Sequence, residues 1–202
     1  RNTDEVNLMW DKRYAAEEYV YGTEPNAFLK EHAQRLAGPV LSVAEGEGRN
    51  AVFLASLGLE VLGVDGSTVG LAKARRLAEA KGVSIDTLVV DLADYEPPAA
   101  AFGAVVSIFA HLPSRVRGRL NRLLERSLRP GGLFLLEAYR PEQLGRGTGG
   151  PADVDMLVSR AALEAELPEC EVLLAREIER EVVEGRFHTG AACVVQFIAR
   201  KR

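Results

Sequence analysis

The chain has 202 residues, 47% hydrophobic and 27% charged, enough for one well-buried core and a single domain. Its 25 Lys and Arg stand against 29 Asp and Glu, a net charge of -4 that gives no general attraction to nucleic acid or an anionic membrane. Cys170 and Cys193 lie in strand-like stretches without the spacing of a disulfide framework or a metal quartet, so a reducing cytoplasm is the expected compartment and no metal is expected. The longest uncharged run, Pro97 to Ser114, holds three prolines and a histidine and does not read as a membrane span. The opening "RNTDEVNLMWDKRY" lacks the apolar core of a signal peptide.

The leading segment gathers Trp10, Arg13, Tyr14, Tyr19 and Tyr21 ahead of "GTEPN", a dense group of polar aromatics in a chain that is only 6% aromatic. From Val40 onward, short β-branched runs alternate with Ala/Leu/Arg-rich stretches of helical period, which predicts a parallel sheet layered by helices. Strands are expected at Val40–Ala44, Glu60–Val64, Ile85–Val90, Ala104–Phe109 and Leu133–Ala138, with helices at about Asn50–Leu57, Val69–Lys81 and Ser114–Leu128. Pro130 in "LRPGG" ends the last of these, and Gly131 and Gly132 permit a left-handed turn into the next strand. A Gly- and Pro-rich loop of about sixteen residues follows Tyr139, a length that suggests function or mobility. After a short helix near Ser159–Leu167, two long strand-like runs flank "EGR" and predict an antiparallel hairpin at the sheet edge.

In an open parallel sheet, ligands bind at the carboxyl ends of the strands, so "AEGEGRNA" after the first strand is the expected site. Gly46, Gly48 and Ala51 satisfy a dinucleotide fingerprint, with Asp65 at about the twenty-residue distance of a ribose-binding acid. A pyrophosphate, however, would be opposed by Glu45 and Glu47. S-adenosyl-L-methionine has no phosphate and carries a sulfonium and an ammonium against one carboxylate, so these acids would attract it. The alternative is that both glutamates simply face water. Gly46 and Gly48 would let the backbone approach the methionine portion, and Asn50 belongs to the same loop.

Asp65 could accept both ribose hydroxyls beside Gly66, while Ser67 is the better cap for the following helix. Asp91 could accept the adenine amino group, with Leu92 packing on the ring; as a turn residue it would need no ligand. Ser107 and Phe109 end the fourth strand near the cofactor, with His111 just beyond as an orienting group, a base or a packing residue. The fifth-strand loop offers Tyr139, Arg140 and Arg146 to an oxyanion, and His188 in the hairpin is a more distant candidate.

These residues resemble the class I S-adenosylmethionine-dependent methyltransferases, and within them the small bacterial tellurite-resistance methyltransferase group. The resemblance spans nearly the whole chain and rests on "VLSVAEGEGRNAVFLASLG", "VLGVDGS", "VVDLADY" and "LRPGGLFLLEAY", with "WDKRYAAEEYVYGTEPNAFL" for the subgroup. It departs where that family often has D-x-G-x-G-x-G, since Ser42 and Ala44 replace the acid and the first glycine. It implies an α/β Rossmann-like, doubly wound, mostly parallel seven-stranded sheet of order 3-2-1-4-5-7-6. It also implies one domain in three parts: residues 1–35 as a lid bringing Trp10 and Tyr14 to the cofactor, 39–139 as the cofactor core, and 140–202 as acceptor loop, short helix and hairpin. The implied reaction is methyl transfer to a small molecule such as tellurite or selenite, or to a thiol, amine or other metabolite. His111, Arg140 and Tyr21 are then the candidate catalytic residues. A nicotinamide oxidoreductase and a non-catalytic cofactor-binding protein are the competing readings, and the oligomeric state is left open.

Overall fold

The computed structural model describes residues 3–202. Helices α1 (Thr3–Tyr14) and α2 (Ala27–His32) precede a seven-stranded sheet built from β1 (Val40–Val43), β2 (Val61–Asp65), β3 (Asp86–Val89), β4 (Phe102–Ile108), β5 (Leu128–Tyr139), β6 (Cys170–Val183) and β7 (Thr189–Lys201). Helices α3 (Arg49–Ser56), α4 (Thr68–Ala80), α5 (Ser114–Ser127) and α6 (Arg160–Glu166) complete the chain. The strand order is 3-2-1-4-5-7-6, parallel through β5, with β7 antiparallel to both β5 and β6. The expected topology is therefore the observed one.

Every side chain of β1 is buried, as a central parallel strand covered on both faces requires. Its alternating residues feed two cores. Leu41 and Val43 join Val105, Phe134 and Leu136 under Leu120 and Leu124 of α5. Val40 joins Ala104, Val106 and Leu135 under Phe28 of α2 and Leu54 of α3. The strand period of two thus assigns each helix to its face.

Differences from the sequence expectations lie at the element ends. Ala44 (φ 51°) and Phe109 (φ 50°) leave the strands they were expected to end, because both take the left-handed backbone at the carboxyl edge of the sheet. Asp65 is the last residue of β2, and Ser67 caps α4 by accepting from Gly70 N. β5 begins at Leu128, five residues earlier than expected, because Leu128 pairs with Phe102 before the register shifts around Pro130 and Gly131.

Gly48 serves packing. A Cβ there would lie 2.5 Å from the Ala74 side chain of α4, and its φ is 94°. Gly48→Ala is expected to lower unfolding free energy by about 2 kcal/mol or more by chemical denaturation. An unchanged midpoint would mean that α3 and α4 do not meet there.

Candidate active site

The carboxyl ends of β1, β2, β4 and β5 meet beneath the N-terminal segment. Asp65 accepts from Gly46 N and Ser67 N, each at 2.8 Å, which ties the first loop to the second. Burial holds its carboxyl above the usual range despite these amides. Asp91 accepts from Ala93 N at 2.8 Å through Oδ1, whereas its Oδ2 is buried with no partner. Leu92 and Ser107 are also buried. An orphaned carboxylate oxygen is the acceptor that an adenine amino group requires.

The two glutamates answer differently from the electrostatic expectation. Glu45 turns into the protein, where Ser42 Oγ donates to Oε2 and Ala51 N donates to Oε1 at 2.7 Å. Burial pushes its carboxyl up to about 7, so at neutrality it is only partly charged. Glu47 forms a buried ion pair with Lys73 and accepts from Val20 N at 2.8 Å. Lys73 Nζ also donates to the carbonyls of Ala16 and Glu18, at 2.9 and 2.6 Å. Neither glutamate is a free anion awaiting a cation; both hold the loop and its cover. Asn50 is likewise engaged, accepting from Asn26 N at 2.9 Å.

Helix α1 lies across these loops. Asp11 accepts from Ser67 Oγ at 2.6 Å, Asn7 packs on Gly66, and Tyr14 Oη would lie 2.7 Å from a Cβ on Gly46. Trp10 stacks on Tyr14 with ring centroids 5.6 Å apart. The missing side chains of Gly46 and Gly66 thus make room for the cover.

On the other side of β4, an aromatic cluster joins remote segments. Tyr139 stacks on Phe109 and on His111 at centroid distances of 4.7 and 5.3 Å, these two rings being 6.0 Å from each other, and His188 meets Phe109, Tyr139 and Tyr21 at 4.8, 5.2 and 4.7 Å. Tyr139 Oη and His188 Nδ1 are buried and have no partner. His111 Nε2 accepts from Tyr139 N at 3.3 Å, so that nitrogen is occupied. Burial pushes both imidazoles down to about 3. Gly149 and Gly150 of the long loop lie against the Tyr139 ring, held by Gln143, which donates to Thr148 Oγ1 and Gly149 O at 2.9 and 3.0 Å.

Arg140 pairs with Glu142 at 3.1 Å and Arg146 with Glu179 at 2.8 Å, so the loop arginines already have counter-ions. Of the candidate catalytic residues, Tyr21 and His111 join the cluster. The more distant candidate His188 stands at its centre, brought there by the hairpin turn. Glu137, Arg180, Glu184, Asn26 and Arg49 form a buried network that sequence reasoning missed. A lone acid inside the apolar "LFLLEAY" is the signal that could have found it.

Residues 40–132 match the family model described as a methyltransferase domain. No curated protein matches the chain's sequence. A solved structure from work on the conversion of a disulfide bond into a thioacetal group during echinomycin biosynthesis aligns with a TM-score of 0.76 at 18% identity, over 98% of this chain and 91% of its own. TehB from Haemophilus influenzae aligns with a TM-score of 0.71 at 17% identity, over 97% of this chain and 67% of its own. An S-adenosylmethionine-dependent methyltransferase from Mesorhizobium loti aligns at 0.66 and 17%, over 87% and 99%. At these identities the likeness is one of fold.

Glu45 gives the fold a pH signature. Its carboxyl holds a proton more tightly folded (about 7) than unfolded (4.5), so its stabilisation is complete below about pH 4.5 and is lost as pH rises through 7. Glu45→Gln is therefore expected to gain melting temperature relative to the parent between pH 5 and pH 8. A difference that does not change with pH would show that Glu45 is fully ionised in the fold.

Proposed function

We propose that this chain is an S-adenosylmethionine-dependent methyltransferase acting on a small molecule through a soft chalcogen nucleophile, in the cytoplasm. The observation that carries the reading is the set of buried, unpartnered polar atoms on either side of β4: Asp91 Oδ2 on one, Tyr139 Oη and His188 Nδ1 on the other. A folded chain leaves such atoms unsatisfied at a cost of about 1–3 kcal/mol each, which ligands can relieve.

The residues present fit the cofactor. Asp91 would take the adenine amino group, the Asp65 carboxylate at the end of β2 the ribose, and Tyr14 with Gly46 the methionine end, under Trp10. S-adenosylmethionine supplies an electrophilic methyl group on a sulfonium. The protein's part is alignment and exclusion of water. Tyr21, Phe109 and the Gly149–Gly150 loop wall off the acceptor side, while Tyr139 Oη and His188 Nδ1 orient the nucleophile. A neutral imidazole leaves an already anionic acceptor undisturbed. The resemblance to the tellurite-resistance group and the sulfur chemistry of the echinomycin neighbour support a chalcogen acceptor, with tellurite, selenite and thiols as the classes to compare.

The test is S-adenosylhomocysteine formation across tellurite, selenite, thiols and amines. Turnover confined to amines would overturn the chalcogen reading, and absence of cofactor binding by calorimetry would overturn the whole. In Asp91→Asn, the amide oxygen must keep accepting from Ala93 N, which turns the NH2 toward the adenine amino group. Cofactor affinity should fall about tenfold or more, about 1.4 kcal/mol, with the fold intact. Unchanged affinity would remove Asp91 from the site. Because both imidazoles remain neutral above pH 5, kcat/KM should follow the acceptor's own ionisation. A limb near 6.5 that vanishes in His188→Ala would instead identify a titrating base.

A further inference from the structure

Where the N-terminal segment meets the hairpin turn lies an open cleft of about 350 Å³, walled by Lys12, Arg13, Tyr19, Arg186 and Phe187, with Glu18 as its acid. Three cations face one carboxylate in a chain whose net charge is -4. Among the described residues, none of these three cations takes part in an ion pair. Their positions are nevertheless built. The Arg13 guanidinium is sandwiched between Trp10 and Phe187, 4.8 and 4.9 Å from the ring centroids, and donates to Tyr21 Oη at 3.1 Å. Arg186 N donates to Val20 O at 2.8 Å, and Gly185 packs directly on the backbone of Val20 and Tyr21.

The cleft and the aromatic cluster are neighbours across Tyr21. Tyr21 touches both, with its ring 6.4 Å from Phe187 at the mouth and 4.7 Å from His188 within. An organic molecule spanning them would place an anionic group among the cations, an apolar body on Phe187 and its nucleophile beside His188. Inorganic tellurite would occupy a small part of that space.

We propose that the acceptor is an organic thiol bearing a carboxylate, held at its anionic end by Lys12, Arg13 and Arg186. This rests on the methyltransferase reading above and narrows its acceptor. The step transfers a methyl from the sulfonium to the thiolate sulfur: the thiol first releases its proton to solvent, the sulfonium C–S bond breaks, and its electron pair stays on the departing thioether. Uncompensated cations on a cleft wall favour an anion through a field that added salt screens.

The test compares para-mercaptomethylbenzoate with its methyl ester, which keeps the same nucleophile and removes the charge. Calorimetry on the full chain, with and without S-adenosylhomocysteine, is expected to show the acid binding about tenfold or more tighter than the ester, a preference that shrinks as salt rises. In Lys12→Ala/Arg186→Ala that preference should fall to about twofold or less, while Arg186→Lys retains most of it. Equal binding of acid and ester by the parent, or a preference that survives in the double variant, would overturn the proposal. Weakened S-adenosylhomocysteine binding in the double variant with the acid preference intact would also overturn it, by assigning the cations to the cofactor's own carboxylate. Methylation of both thiols without preference leaves the methyltransferase reading standing and removes the anion site. Preferential binding of the acid without methylation of any acceptor retains the site and removes the reaction.

Discussion

Glu137 lies at the centre of the sheet with none of its surface exposed, and a carboxylate there is tolerable only if its oxygens are answered. Arg180 of β6 pairs with it, and Gln196 of β7 and Asn26, just ahead of α2, donate to it. Arg180 and Asn26 also bond Glu184, which takes Arg49 from the first turn of α3 at 2.6 Å. Two carboxylates and two guanidiniums therefore balance out of water. Their sources are the N-terminal segment, the nucleotide-type loop, the last parallel strand and the hairpin. Losing one member strands its partner, at a cost of about 3–5 kcal/mol for a buried pair. The reward is geometric: Glu184 N donates to His188 O, so the network that seats the first loop also seats the imidazole of the aromatic cluster.

A second buried pair, Glu47 with Lys73, does for the cover what Glu137 does for the hairpin. Lys73 reaches from α4 to the carbonyls that follow α1, and Glu47 takes the amide of Val20. The acidic loop thus has a structural reason for its acids that charge counting could not supply. Ligand charge is one explanation for a glutamate beside a glycine; an inward-facing partner on the next helix is another. Only the helical phase of Lys73, buried on the inner face of α4, separates them.

The sheet was legible because each strand and helix declares its period locally, although Pro130 and its paired glycines, expected to separate helix from strand, fall inside β5. The edges were less so. Ala44 and Phe109 adopt left-handed backbone that their residue types do not announce, and both sit where the strands open onto the site. Cofactor candidates lay near the expected strand ends, since that location follows from topology alone. The acceptor cluster was only partly visible. Tyr21, Phe109, His111, Tyr139 and His188 span most of the chain, and their meeting depends on a hairpin register and a buried ionic network that no local pattern encodes.

The division of labour between the two halves of the site follows from this. The proposed cofactor half is drawn from βα turns whose place the parallel sheet dictates. The proposed acceptor half is drawn from the leading segment, the Gly-rich loop and the hairpin turn, the parts that topology leaves free. In this chain those parts bring together neutral imidazoles, an unpartnered phenol and a cluster of cations at the mouth. Apolar walls lower the local dielectric, so a charge admitted there is felt strongly, while the cations keep their water at the rim. On the proposed reading, such a site would select by where charge is located on the acceptor, with the nucleophile in the dry interior and its counter-charge at the wet edge.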